Sequence, residues 1–170
     1  MDNEQLLSQL LKSSNFTDIK NLLSDFEYSY IKKLIMNIAL YVDSDIKVGD
    51  IEMTHIYDVN NELSQEITGV PSAYSAIDGD VKTLAAFAEQ YSHLGIADFD
   101  ALAKEAILDF LNLSNGLFVV MLSKLNIGEH SLSVPKQSDS IELTSPAEGN
   151  ITVIPVTFSF GTVRFLLLRL

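Results

Sequence analysis

The side chains best suited to chemistry lie in one long helical pattern, from residue 98 to 124. Glu105, Asp109 and Asn112 recur there at i, i+4 and i+7, so a helix would place two carboxylates and a carboxamide in one narrow stripe. Gly116 continues the stripe, and its missing side chain would let a bulky group approach closely. This stripe predicts a docking surface, although an ordinary solvent-facing stripe fits the same pattern.

The rest of this helix is apolar and predicts a core-facing surface. On a wheel of about 100° per residue, the side opposite the stripe carries Ala103, Ile107, Phe110, Leu111, Leu117, Phe118 and Met121. A glycine in a helix interior costs about 1 kcal/mol relative to alanine, so Gly116 needs a reason other than helix propensity. The segment therefore predicts an amphipathic helix that lies on a larger core.

A proline further along the chain extends the pattern of the stripe. Pro135 follows Asn112 with 22 residues between them. The combined pattern resembles the signature of the CheC/CheX family of bacterial chemotaxis phosphatases. The pattern consists of Glu105, three residues, Asp109, two residues, Asn112, 22 residues and Pro135. One position departs from that signature, because Asp109 stands where the family has glutamate. The aspartate is one methylene shorter, and a displacement of about 1 Å can lower a catalysed rate about 10²-fold.

The resemblance implies a phosphatase that acts on the acyl phosphate of a phosphorylated response-regulator receiver domain, such as CheY, in chemotaxis or two-component signalling. It implies that Asn112 orients the attacking water, since a neutral amide adds no charge beside the phosphoryl group, and that Asp109 pairs with the receiver's active-site lysine. Glu105 would act locally, Gly116 would contribute to binding, and Pro135 would shape the entry to a strand. Mg²⁺ would be held by the receiver, and this chain would hold no cofactor or metal.

Two other classes of function remain open on the sequence. The first is a non-catalytic interaction module of the same fold, comparable to flagellar switch components, which would bind receivers or its own kind without hydrolysis. The second is a structural homo-oligomer, such as a homodimer, that associates through the edge of a terminal hairpin. Dephosphorylation of a receiver is the leading hypothesis.

Composition excludes several further classes. The 170-residue chain has a net charge of −12, which repels nucleic acid and anionic lipid. It has no cysteine, which excludes disulfides, thiol nucleophiles and thiolate metal sites. The three histidines show no metal-ligand spacing, and the longest apolar run, residues 165–168, is too short to cross a bilayer. We therefore expect a soluble, cytoplasmic protein that binds neither nucleic acid nor membranes.

The order of predicted elements indicates an α+β fold. Helical periodicity predicts helices at residues 4–12, 24–42, 80–93 and 98–124. Strands are predicted at 48–59, 64–77, 130–135, 140–143, 151–158 and 162–170, and the last two form a hairpin. Gly69-Val70-Pro71 would interrupt the strand at 64–77 or place it at an edge. Pro155 predicts an edge position or a bulge for the first hairpin strand.

The two halves of the chain are loosely similar, because a long helix precedes strands in each. This similarity predicts a duplicated helix-plus-strands unit, with two long helices packed on one antiparallel sheet, as in CheC/CheX proteins. Residues 24–170 would form a single domain of that kind, and residues 1–23 a helical extension. The first half lacks the signature around Asn37, because Asn60 stands where the proline would be, so at most one active face is expected.

Overall fold

The computed structural model of the protein describes residues 2–147 and 149–170. Its helices are α1 (Asn3–Leu11), α2 (Asp25–Tyr41), α3 (Val81–Ser92) and α4 (Ala101–Lys124), with a short 3₁₀ helix at Lys20–Leu22. Its strands are β1 (Lys47–Val48), β2 (Glu52–Thr54), β3 (Ile56–Val59), β4 (Glu62–Thr68), β5 (Ala73–Asp78), β6 (Ser131–Leu132), β7 (Lys136–Ser138), β8 (Ile141–Thr144), β9 (Ile151–Phe158) and β10 (Gly161–Arg169). The predicted α+β fold is confirmed.

The strands form one antiparallel sheet and a separate ribbon. The sheet has the order β1-β9-β10-β5-β4-β6, with β2 also paired to β9 and β7 also paired to β4. Each edge of this sheet therefore consists of two short strands that lie against one long strand. The ribbon is formed by β3 and β8.

Alternation along the strands divides the core between the two faces of the sheet. In β10, Phe165 and Leu167 belong to the cluster that contains the helices, whereas Leu166 and Leu168 belong to a smaller cluster with the ribbon. This is the period-two pattern of a sheet that is covered on both faces. The helices α2 and α4 thus lie on one face, as the sequence predicts, and the ribbon covers part of the other.

Helix α4 begins at a defined cap and is anchored by aromatic packing. The Asp100 carboxylate accepts a hydrogen bond from the Ala103 amide at 2.9 Å, which satisfies one free N–H of the first turn. Phe110 is fully buried and packs edge-on against Phe87, with 5.3 Å between ring centroids. By length and composition α4 could cross a membrane, but its apolar face is buried in the protein and it is a core helix.

The predicted strand at 48–59 was wrong as a continuous element. Three short strands occupy this region, and the chain leaves the main sheet after β2 to form β3 of the ribbon. The chain therefore passes from one face of the sheet to the other, since Val48 belongs to the helix-side core and Val59 to the ribbon-side core. Of the strand predicted at 130–135, only β6 (Ser131–Leu132) forms, and β7 begins at Lys136, beyond the predicted end.

Of the two positions expected for Pro155, the sheet edge was wrong, but the bulge is confirmed: Val48 pairs with Val156 and Glu52 with Val153, so the neighbouring strand has one extra residue beside Pro155. Strand β9 lies inside the sheet, between β10 and the short strands β1 and β2. Pro155 is tolerated because β1 ends at Val48 and β2 begins at Glu52, so the neighbouring strand is interrupted beside it; Gly49 donates its N–H to the Pro155 carbonyl at 2.9 Å. The missing proline N–H therefore falls at a gap in the ladder.

The N-terminal segment is tied to the helix-side core. Leu7 and Leu11 of α1 and the following Phe16 are all at most 6% exposed, and Phe16 stacks on Tyr28 of α2 with 4.9 Å between ring centroids. The division of the chain at residue 23 stays a prediction.

Candidate functional site

The stripe on α4 points outward. Glu105, Asp109 and Asn112 are all exposed, on the side of the helix opposite the buried Phe110. Gly116 is half-buried, and a Cβ built on it would lie 4.0 Å from a methyl carbon of Leu132. That distance is an ordinary van der Waals contact, so nothing in the described chain approaches Gly116 closely enough to require a glycine there. The open part of the stripe is its first two turns.

Pro135 lies beside the stripe. After α4 the chain returns through β6, which pairs with β4, and so brings Pro135 back to the helix. Glu105, Leu108, Asp109, Asn112 and Pro135 together line one shallow surface depression. The fold thus brings together at one place all four positions of the signature-like pattern, including Asp109, where the family has glutamate.

A tyrosine from the neighbouring helix holds Asp109. The Tyr91 hydroxyl on α3 donates a hydrogen bond to Asp109 Oδ2 at 2.6 Å, and its ring packs edge-on against Phe110. Burial raises the pKa of the Tyr91 hydroxyl above its ordinary value, and the hydrogen bond to Asp109 and its negative charge raise it further. Tyr91 is therefore a neutral donor at physiological pH.

A strand residue beneath the helix holds Asn112. Gln65 of β4 donates from Nε2 to Asn112 Oδ1 at 2.8 Å and to the Ser133 main-chain carbonyl at 2.9 Å. Gln65 is only 1% exposed, whereas Asn112 reaches the surface. The exposed carboxamide is thus connected to a buried, fixed partner.

The two carboxylates of the stripe carry charges that are unpaired within the described chain. Among residues 2–147 and 149–170, the ion pairs are Lys136 with Glu62 and Arg169 with Glu27. Asp109 is bonded only to a neutral hydroxyl, so its charge is available to a cation on another molecule. No group of three or more potential metal ligands occurs in the same described residues.

The amide on the first long helix takes a different course. Asn37 of α2 is 1% exposed and donates to Ser114 Oγ on α4 at 3.0 Å. It therefore links the two helices inside the core and is not offered to solvent. Asn112 is the amide that these helices present at the surface.

Comparison of the structure with solved structures identifies the fold. CheX from Vibrio vulnificus matches with a TM-score of 0.70 and 11% identity, covering 86% of this chain and all of that one. The chain has a CheC/CheX-like fold. No protein-family model matches the sequence, and no curated protein matches it significantly, so the fold is evident in three dimensions rather than in sequence identity.

Two further structures with this fold show how it is used elsewhere. The CheX–CheY–BeF₃–Mg²⁺ complex from Borrelia burgdorferi matches with a TM-score of 0.67 and 14% identity, over 85% of this chain and 97% of that one. In that complex a CheX-like protein is bound to CheY. The middle domain of FliM from Vibrio alginolyticus matches less closely, with a TM-score of 0.51 and 8% identity over 84% and 89% of the two chains.

Sequence reasoning did not identify Gln65 or Tyr91 as part of the site. A signal for Gln65 exists, since it lies two residues from both Leu63 and Ile67 and therefore on the same face of the strand. Both of these neighbours face the helix-side core. A polar residue at such a position must find a buried partner. Tyr91 is half-buried, and nothing in the sequence indicates that its hydroxyl reaches Asp109.

Proposed function

We propose that this chain hydrolyses the aspartyl phosphate of a phosphorylated response-regulator receiver domain. The observation that carries the proposal is the surface depression in which Glu105, Asp109, Asn112 and Pro135 meet. These residues are spread over 31 positions of the sequence, and they resemble a phosphatase signature in which Asp109 replaces the family's glutamate. Their convergence on a CheX-like fold favours a shared use over a chance match.

In the proposed reaction the receiver supplies the phosphoryl group, the Mg²⁺ ion and a lysine. Asp109 pairs with that lysine and so sets the helix over the receiver's active site. Asn112 holds a water in line with the phosphorus, and one lone pair of its Oδ1 remains after the bond from Gln65. The water oxygen bonds to phosphorus as the bond to the aspartyl oxygen breaks. The water's proton leaves with the products, which are inorganic phosphate and the free receiver carboxylate.

A non-catalytic receiver-binding module is the second candidate, and the FliM-like resemblance together with the short Asp109 favours it. Both functions use the same exposed stripe on α4, and both require that a receiver can reach it. They differ only in whether phosphate loss from the bound receiver is accelerated.

Phosphate release from a panel of phosphorylated receivers separates these functions. We expect the wild type to accelerate release from at least one receiver, and Asn112→Ala to lower that acceleration about 10²-fold, as for loss of one transition-state contact. Asn21→Ala, which removes an exposed amide outside the depression, is the matched control. Binding with unchanged phosphate decay would support the module instead, and no binding to any receiver would contradict both proposals.

A further inference from the structure

A continuous chain of polar side chains runs from the core to the exposed Asn112. Tyr30 of α2 and Ser75 of β5 share a hydrogen bond of 2.8 Å, and Ser75 Oγ donates to Asn115 Oδ1 at 3.4 Å. Asn115 then donates from Nδ2 to Gln65 Oε1 at 3.1 Å. Gln65 completes the chain by donating to Asn112. The first four members are at most 2% exposed, so the chain is a buried, mutually satisfied network.

A main-chain carbonyl determines the direction of the whole chain. The Ser133 carbonyl can only accept, so the Gln65 atom 2.9 Å from it must be the amide nitrogen. The same nitrogen lies 2.8 Å from Asn112, so the Asn112 atom facing it must be the carbonyl oxygen. The orientation of an exposed carboxamide, which is otherwise free to turn over, is thus imposed by the backbone segment between β6 and β7, which lies beside β4.

The position of Ser133 links this device to the rest of the site. Ser133 stands two residues before Pro135, and its N–H donates to the Glu66 carbonyl on β4 at 3.0 Å. The segment that brings Pro135 to the depression therefore also carries the carbonyl that aligns Gln65. One backbone segment sets both features.

We infer that Gln65 is the positioning residue of Asn112: its two N–H bonds, one to Ser133 and one to Asn112, hold the Asn112 carboxamide in a single orientation toward solvent. This inference deepens the proposed function and rests on it for its catalytic consequence. An amide that is fixed before the receiver binds does not have to be ordered during the reaction. We therefore expect Gln65 to lower the activation barrier of the chemical step and to leave the affinity for the receiver nearly unchanged.

Two substitutions of nearly equal length test the role of the donor. Gln65→Met removes both N–H groups and the acceptor, and Gln65→Glu keeps the acceptor oxygens but removes the donors. With a receiver that the wild type dephosphorylates, we expect each to lower the single-turnover rate by about 10-fold to 10²-fold. The Kd for the same receiver loaded with beryllofluoride should change less than about 3-fold. Gln137→Met on β7, where the glutamine is exposed, should change neither quantity.

An NMR measurement tests the positioning without any receiver. In the wild type the side-chain Nδ2 of Asn112 should be as ordered as the backbone, with an order parameter near 0.85, and in Gln65→Met it should fall below about 0.6. The Asn112→Ala spectrum assigns the resonance. Thermal melting of each variant shows that the fold is retained at the temperature of measurement.

The outcomes distinguish this inference from the proposed function. An ordered Asn112 in Gln65→Met would overturn the positioning role, whatever the activity. Loss of order together with an unchanged single-turnover rate would overturn its catalytic consequence while leaving the phosphatase intact. A wild type that accelerates no receiver would defeat the proposed function, and the NMR result would still decide whether Gln65 orients Asn112.

Discussion

Lengthening Asp109 by one methylene tests its proposed pairing with a receiver lysine. Asp109→Glu restores the glutamate of the CheC/CheX signature and moves the carboxylate outward by about 1.5 Å, the length of one C–C bond. In the structure the Asp109 carboxylate is held toward α3 by Tyr91 at 2.6 Å, so its reach is limited by both length and direction. Since a displacement of about 1 Å can change a catalysed rate about 10²-fold, we expect Asp109→Glu to raise the rate by up to that factor.

The assay is phosphate release at receiver concentrations well below KM, so that the rate reports kcat/KM. Asp109→Asn keeps the length but removes the charge, and it should fall below the wild type. The expected order of kcat/KM, from highest to lowest, is therefore Glu, Asp and Asn at position 109. Asp18→Glu adds the same methylene to an exposed aspartate outside α4 and should have no effect. If Asp109→Glu is no faster than the wild type while the receiver is still bound, the reach of this carboxylate does not limit the reaction and the reasoning is refuted.

Two predictions concern titration. In Asp109→Asn the Tyr91 hydroxyl loses a charged acceptor, so the pKa of Tyr91 should fall but stay above the ordinary 10.0 because burial persists. ¹³C-tyrosine NMR measures this pKa. An unchanged pKa would show that the hydrogen bond between Tyr91 and Asp109 is not formed. Burial opposes ionisation of Glu62, but bonds from Ser138 and Tyr74 and the charge of Lys136 lower its pKa below the ordinary 4.5. Glu62 therefore stabilises the fold above that value and loses this effect as the pH falls through its lowered pKa. Glu62→Gln should be less stable at pH 7 and lose less stability on acidification, which denaturant titrations at several pH values would reveal or contradict.

Much of the architecture follows from local pattern. Helix α4 can be predicted because it has a long apolar repeat and a polar stripe, neither of which needs knowledge of distant residues. Its start was predicted at residue 98, whereas the structure begins it after the capping Asp100. Ser24 and Glu27 likewise predict the start of α2, where the structure has both bonds of a capping box. The terminal hairpin is also local, since Ile151–Phe158 and Gly161–Arg169 pair across a short turn.

The place of an element in the sheet is not local, and there the sequence misled. The hairpin was expected to offer an edge, but β9 and β10 both have neighbours on either side. Long-range pairing with β5 and with β1 and β2 determines this, and periodicity carries no information about it. A homo-oligomer that uses the hairpin edge is therefore contradicted, because that edge is already covered within the chain.

The site divides in the same way. Helical geometry alone aligns Glu105, Asp109 and Asn112, because residues at i, i+4 and i+7 share a face in any helix. Their partners cannot be obtained so simply: Gln65 is 47 residues from Asn112 and Tyr91 is 18 from Asp109. The sequence predicts which groups are offered, and only the packing reveals which groups hold them.

The burial of Asn37 limits the number of stripe-like surfaces on the two long helices of each chain to one. Its amide nitrogen donates to Ser114 between the two long helices, so α2 does not present at the surface an amide like the one that α4 presents at Asn112. The two halves of the chain thus share an approximate order of helix and strands, but only the second half presents the polar stripe. Under the proposed function, a partner that recognises the α4 stripe would find one such face per chain and would bind a single chain one to one.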